Sequence, residues 1–278
     1  MFEMLRPKRE RQMLAGPPSV GADRRVYAIG DIHGRLDLLL DLLDRIGRDD
    51  WRRRHREDTS LVFLGDYVDR GPQSREVIDC VIKLREQWPN MICLRGNHEQ
   101  VFLMALNGDE QAVRFFTRED VGGRETLMSY GIAAEQIDTM HPGELWELID
   151  RAVPQEHRDF LAGLDSQTVI GDYAFVHAGI QPGVPLKEQE ETDLYWIRDT
   201  FLNFEQPHPY MIVHGHSIRE DVEMRTNRIG IDTGAYATGR LTAIGLEGTE
   251  CWFLNTDEAE EKAVPRKNEA TRKSAAAA

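Results

Sequence analysis

The sequence predicts an α/β fold in which a parallel or mixed sheet, built from βα units, is flanked by helices. Three observations predict it. A strand, loop and helix pattern recurs three times in the first third of the chain, short apolar runs return in the last third, and a hairpin closes the pattern. Taken in order, Val26–Ile29 is an apolar run stopped by Gly30, which reads as a buried strand. Leu36, Leu39, Leu40, Leu43 and Ile46 then recur at helical spacing and mark one face of an amphipathic helix. The unit repeats with a strand at Leu61–Leu64 and a helix over Ser74–Gln87, whose apolar face is Val77, Ile78, Val81 and Leu84. A third strand, Met91–Leu94, leads through a loop to an apolar helix around Val101–Leu106.

Residues 108–165 carry few strand signals and many Glu, Arg and Leu, which predicts a helical insert of the kind that walls an active site. Strands resume at Tyr173–Val176 and Met211–Val213. Leu241–Leu246 and Glu250–Leu254 bracket Gly248-Thr249 as an antiparallel hairpin. Residues 1–24 mix charges with Gly16-Pro17-Pro18 and read as a flexible N-terminal arm. Residues 256–278 lose all periodicity and read as a disordered C-terminal tail, leaving a single domain over 25–255.

Composition removes several function classes. The 278 residues carry 34 Lys+Arg against 48 Asp+Glu, a formal charge of −14, so an extended nucleic-acid surface is disfavoured by long-range repulsion. With 41% hydrophobic and 29% charged residues the chain can fill a core and is not a disordered polyelectrolyte. No apolar run approaches the roughly 18 residues of a membrane span. Cys80, Cys93 and Cys251 are odd in number and widely spaced, which fits free thiols in a reducing compartment. The charged first 15 residues contain no secretory h-region, so the expected location is the cytoplasm.

The chemistry concentrates where the strands end. The first three are followed by Gly30-Asp31-Ile32-His33-Gly34, by Gly65-Asp66-Tyr67-Val68-Asp69-Arg70-Gly71 and by Gly96-Asn97-His98-Glu99. Ligands of open α/β sheets bind outside the carboxyl ends of the strands, so these loops are expected to share one crevice. Asp31, His33, Asp66 and Asn97 mix hard oxygen donors with imidazole, a set that suits Mn²⁺, Fe or Zn²⁺. His177 and His216 follow two later strands and complete six candidate ligands. A tetrahedral site needs four. Six, with one carboxylate shared, are enough for two metals about 3.5–4 Å apart, an arrangement used to hydrolyse phosphate esters.

This ordered set, GDIHG, GDYVDRG, GNHE, HAG and GHS, resembles the calcineurin-like metallophosphoesterases, and within them the bacterial and phage form of the phosphoprotein phosphatases. The resemblance covers about Val26 to Leu254. It implies the calcineurin-like metallophosphoesterase fold, with central mixed β-sheets packed as a β-sandwich. It further implies two divalent ions as cofactors, Mn²⁺ first, with Asp31 and His33 on one ion, Asp66 bridging, and Asn97, His177 and His216 on the other. His98 is implied as the general acid, paired with Asp69, and Arg70, Arg198 and Asn97 as the groups that hold substrate phosphate. The implied nucleophile is a metal-bridging water or hydroxide, and the implied substrate a phosphorylated protein or peptide, without nucleic-acid or membrane partners. His216 is preferred to His214 because its spacing after the strand fits the family. His55, His141, His157 and His208 have no partner motif and read as surface or core residues.

Departures from the pattern carry information. His177-Ala178-Gly179, His214-Gly215-His216 and Ile231-Asp232-Thr233-Gly234-Ala235 differ from the eukaryotic members and point to the bacterial type. The expected activity is phosphomonoester hydrolysis on phosphoserine or phosphothreonine, with phosphotyrosine open. The alternative is a dinucleoside polyphosphate hydrolase acting on substrates such as diadenosine tetraphosphate. That branch tends to carry GNHD and a degraded second motif, whereas Glu99 and Asp69-Arg70-Gly71 stand intact here. A nuclease of the wider superfamily is disfavoured by Ile218, which occupies the place of an extra metal-binding histidine. A metal-dead scaffold would have lost ligands, and none is missing.

Overall fold

The computed structural model describes residues 16–53 and 59–257. In chain order the elements begin with β1 (Arg25–Ile29), α1 (Leu36–Arg52), β2 (Thr59–Phe63), α2 (Ser74–Gln87), β3 (Met91–Cys93) and α3 (Asn97–Leu106). Then come α4 (Glu110–Phe116), α5 (Gly123–Ser129), α6 (Ala134–Thr139), α7 (Pro142–Ala152) and α8 (Gln155–Ala162). The second half contains β4 (Gln167–Ile170), β5 (Tyr173–Val176), α9 (Glu191–Trp196), α10 (Asp199–Leu202), β6 (Met211–His214) and β7 (Glu223–Met224). It closes with β8 (Arg228–Gly230), α11 (Ala235–Thr238), β9 (Thr242–Glu247) and β10 (Glu250–Asn255).

Two mixed five-stranded sheets result, in the orders β10-β9-β1-β2-β3 and β4-β5-β6-β8-β7. In the first, β1 runs parallel to β2 with Tyr27 opposite Leu61, and antiparallel to β9 with Tyr27 opposite Gly245. In the second, β5, β6 and β8 are parallel, with Phe175 opposite Val213 and Val213 opposite Ile229. Side-chain alternation along each strand then sets the layers. Val26, Ala28, Val62, Leu64 and Leu94 pack with Phe175, Val213, Ile229 and Ile231, so the inner faces of the two sheets meet as a sandwich. Tyr27, Ile29, Leu61 and Phe63 turn outward against Leu39 and Ile46 of α1, Val77 and Val81 of α2, and Phe102 of α3. Ala174, Val176 and Ile212 on the outer face of the other sheet pack under Leu194, Tyr195 and Phe201 of α9 and α10. The central strands β1, β2, β5 and β6 are thus covered on both faces, which explains why they read as continuous apolar runs rather than alternating ones.

Arg25 is the largest wholly buried polar side chain. Its guanidinium meets Asp50 at 2.7 Å and Glu247 at 2.6 Å, joining β1 to α1 and β9. A buried cation of this kind is tolerable because its carboxylate partners are in contact with it.

The insert between the sheets consists of α4 to α8, all helical. Two stretches read as loose are attached where they meet the domain. Val20, in the stretch read as an arm, is buried, and its N–H donates to the Gly248 carbonyl at 3.0 Å, while Ser19 exchanges two bonds with Asp172. The apolar Val20 side chain fills the space between the sheets, a tertiary effect with no local signature. Thr256 and Asp257, at the start of the stretch read as a tail, bond to Leu241 and Arg240. The remaining parts of both terminal expectations, residues 1–15 and 258–278, lie outside the described residues. Among the described residues, no helix is long and apolar enough to cross a membrane.

Candidate active site

The motif loops follow β1, β2 and β3 of one sheet and β5 and β6 of the other, and they converge at the strands' carboxyl ends. The backbone there is unusual. His33, Asp66, Asp69, Arg70 and His216 all adopt positive φ, between 48° and 73°, a region costly for side chains with a Cβ. Two glycines bring backbone against carboxylate. A Cβ on Gly96 would lie 2.1 Å from Asp66 Oδ1, and one on Gly215 would lie 2.0 Å from Asp31 Oδ1. Any side chain at either place would displace the acid it touches.

The sequence reads Asn97-His98-Glu99 as loop. In the structure they form the first turn of α3, with Gly96 as N-cap and the Glu99 carboxylate accepting from the Gly96 N–H at 2.9 Å. Glu99 does more than close its own helix. Wholly buried, it also accepts from the backbone N–H groups of Asp66 and Tyr67 at 2.8 Å and of Val68 at 3.2 Å, so it holds the second motif loop in its strained path. Burial and the nearby Asp66 charge push its carboxyl up to about 7. The sequence signal was present: a Glu three residues after a glycine, at the head of an apolar helix, is half of a capping box.

Asp66 sits at the centre. Its Oδ2 is 3.5 Å from His33 Nε2 and 3.9 Å from His98 Nε2, and its Oδ1 is 3.4 Å from His177 Nε2. Burial opposes its charge, yet its carboxyl is held well below the ordinary carboxylate range in a pocket lined by His177, His98, His33 and His216. Two three-residue donor groups share it: His33, Asp66 and His98, and Asp66, His177 and His216.

The tautomers follow from the hydrogen bonds. His33 Nδ1 faces the Val68 carbonyl at 2.8 Å and His177 Nδ1 the Leu64 carbonyl at 2.9 Å. A carbonyl can only accept, so both rings carry their proton on Nδ1 and present a bare Nε2 to the cluster. Burial lowers the pKa of His33, His177 and His216, which keeps these rings neutral. Asn97 Oδ1 lies 2.9 Å from both His177 Nε2 and His216 Nδ1. His216 Nε2 and Asp31 Oδ1 are buried without any hydrogen-bond partner. Lone pairs from Asp31, Asp66, Asn97, His177 and His216 therefore converge with too few protons between them. Divalent cations satisfy such a set, and the mixture of carboxylate, amide oxygen and imidazole fits the ions expected from the sequence.

Asp31 and His98 are arranged differently from the implied ligand set. Asp31 Oδ2 accepts from the His216 N–H at 2.9 Å and belongs to neither three-donor group; only its bare Oδ1 is free to bind. His98 instead enters the first group through its Nε2, while its Nδ1 pairs with Asp69 Oδ2 at 2.6 Å. Burial works against its charge, yet Asp66 and Asp69 raise its pKa, the direction a proton donor requires. Arg70 spans the two histidines, with Nη1 3.2 Å from His33 Nε2 and Nη2 3.2 Å from His98 Nε2, and its guanidinium lies 4.7 Å from the Tyr236 ring centre. Arg198 is exposed at the rim, and its Nη1 reaches the His216 carbonyl at 3.5 Å.

The remaining histidines lie apart. His214 is buried against Phe201, and Gly215 carries the chain past it to His216. His157 links Tyr130 and Asp79, His208 stacks between Phe201 and Phe204, and His141 caps α7; His55 lies outside the described residues. Asp232 and Tyr236 border the site without having been singled out as chemical groups. Burial, and then the neighbouring Asp232 charge, raise the pKa of Asp31, and the Tyr236 ring meets His33 edge-on at 5.4 Å. Their contacts are tertiary, so sequence spacing carries no sign of them.

A two-sheet sandwich with an acid and imidazole cluster at its strand ends is the architecture of a metallophosphoesterase. The chain belongs to the calcineurin-like phosphoesterase family, whose profile matches residues 24–221. Among curated relatives, bis(5'-nucleosyl)-tetraphosphatase (asymmetrical) PrpE of Anoxybacillus flavithermus is 27% identical over 237 residues, covering 78% of this chain and 88% of the relative. Serine/threonine-protein phosphatase 2 of Escherichia coli is also 27% identical, over 227 residues, 79% of this chain and 91% of the relative. The crystal structure of a provisionally assigned diadenosine tetraphosphatase superposes with a TM-score of 0.57 at 19% identity, over 85% of this chain and 96% of that one, a likeness of fold.

Proposed function

We propose that the protein is a metal-dependent phosphomonoesterase, a protein phosphatase acting on phosphoserine and phosphothreonine, with phosphotyrosine within the same chemistry. In this reading Asp31, His33 and Asp66 hold one divalent ion and Asp66, Asn97, His177 and His216 a second, with Mn²⁺ as the first choice and Fe or Zn²⁺ as alternatives. Bound there, the two ions would supply Lewis-acid charge that neutralises phosphate and lowers the pKa of water. Arg70 forks onto phosphate oxygens, a task for which a planar guanidinium is suited, and Arg198 and the Asn97 amide add further contacts. His98 donates its Nε2 proton to the departing oxygen while Asp69 orients the ring. Water is the attacking group, so no serine or cysteine is needed as a nucleophile.

The observation that carries this reading is the Asp69–His98 pair at 2.6 Å, with the far nitrogen of the ring turned to the cluster. A serine or threonine alkoxide is a poor leaving group and needs a proton; the phosphate released from a polyphosphate chain leaves without one. A braced imidazolium is therefore of most use to an alkyl phosphomonoesterase. Dinucleoside polyphosphate hydrolysis stays as the second reading because the similarity to the PrpE tetraphosphatase spans most of both chains.

With this function we place a single catalytic domain at residues 25–255, with its helical insert at about 108–165, and a cytoplasmic location. The location is supported by Cys80, Cys93 and Cys251, none of which is paired. The acidic exterior, at a formal charge of −14, favours a single phosphate group on a protein over a long polyanion. In Mn²⁺-supplemented buffer, kcat/KM for phosphoserine and phosphothreonine peptides is expected to exceed that for diadenosine tetraphosphate. Preference for the dinucleotide would replace this reading with the second.

A further inference from the structure

The insert does more than stand beside the site. Asp69 and Arg70 are consecutive non-glycine residues in the left-handed region, at φ 73° and 68°. Such a pair persists only where its surroundings hold it. The holding groups come from α5 and its N-cap. The Thr126 hydroxyl oxygen, wholly buried, accepts from the Asp69 N–H at 2.8 Å and donates to Asp69 Oδ1 at 2.6 Å. One hydroxyl thereby fixes both the backbone and the carboxylate of the residue whose other oxygen, Oδ2, meets His98. Ser74 Oγ, at the start of α2, lies 2.9 Å from the same hydroxyl and 3.0 Å from the Asp69 N. The Gly122 carbonyl accepts from the Arg70 N–H at 2.9 Å, and a Cβ on Gly122 would lie 2.7 Å from the Arg70 N. The next turn of α5 is tied to α2 by the Arg75 N–H, which donates to Ser129 Oγ at 3.1 Å.

We propose that Thr126 is a positioning residue for catalysis: brought in by the helical insert, its hydroxyl sets the Asp69 carboxylate and, through it, the orientation of the His98 imidazole for proton donation. The proposal rests on the phosphomonoesterase reading above. It gives the insert a task at the general acid, since α5 and its N-cap hold both Asp69 and Arg70.

The test compares Thr126→Val with Thr126→Ser on a phosphoserine peptide and on p-nitrophenyl phosphate, whose leaving group departs without a proton. Thr126→Val is expected to lose about 10- to 100-fold in kcat on the peptide, part of the 10²–10⁴ that a general acid supplies, and only about 2-fold on p-nitrophenyl phosphate. Thr126→Ser, which keeps the hydroxyl, is expected to restore the peptide rate. Equal losses on both substrates, or none, would overturn the proposal. If Thr126→Val does not fold, Thr126→Ala carries the same expectation. If the wild-type protein hydrolyses neither ester, the phosphomonoesterase reading fails separately, and the NMR resonance of the His98 Nδ1 proton decides on Thr126. That resonance should lose its downfield position in Thr126→Val and regain it in Thr126→Ser; an unchanged resonance in both would overturn the positioning role.

Discussion

Asp66→Asn is expected to abolish turnover and to strip the protein of tightly bound divalent metal. Asp66 belongs to both donor groups, with His33 and His98 on one side and His177 and His216 on the other. Its carboxyl is held well below the ordinary carboxylate range despite burial. An amide in its place removes that charge, and its NH₂ group cannot coordinate. Loss of an outer partner of a metal ligand already costs about 10–100-fold in affinity, so loss of a ligand shared by two ions should exceed about 100-fold. Elemental analysis after dialysis, together with kcat/KM on a phosphoserine peptide, checks both parts. Near-normal activity in the variant would show that Asp66 does not bridge.

The second large effect is selective. His98→Ala is expected to lower kcat on a phosphoserine peptide by about 10²–10⁴-fold and to spare p-nitrophenyl phosphate to within about 10-fold. The first substrate must expel an alkoxide, which needs the proton on Nε2, and the second expels a stabilised phenolate. A ring that served only as a ligand, as its place beside His33 and Asp66 allows, would instead slow both substrates alike. The ratio of the two losses separates these roles, and equal losses would contradict the general-acid assignment.

Much of this arrangement was legible from residues alone, for identifiable reasons. β1, β2, β5 and β6 are covered on both faces, so they appear as continuous apolar runs, and the motif loops could be placed at their carboxyl ends. β7, β8 and α11 were not legible. Glu223–Met224 is two residues long, Arg228–Gly230 has one apolar side chain, and Ala235–Thr238 is a single turn between two left-handed glycines. Such elements form because the sheet beside them offers partners, not through any periodicity of their own. β4 was missed for a related reason, since only Ile170 of its four residues is buried. The candidate donors could be picked out because each lies next to or near a glycine in its own loop. The groups that hold those donors were not. Thr126 lies 57 positions from Asp69, and no local pattern marks a threonine whose only distinction is the hydroxyl it brings across the fold. Glu99 is the intermediate case: readable as a helix cap, but not as the acceptor for three amides some 31 to 33 residues away.

In the proposed site two divalent ions lie side by side on Asp66. Crystals of the protein equilibrated with Mn²⁺ and measured by anomalous scattering test this most directly. Two peaks per chain are predicted, one contacted by Asp31, His33 and Asp66 and the other by Asp66, Asn97, His177 and His216. A single peak, or two peaks that do not share Asp66, would contradict the account.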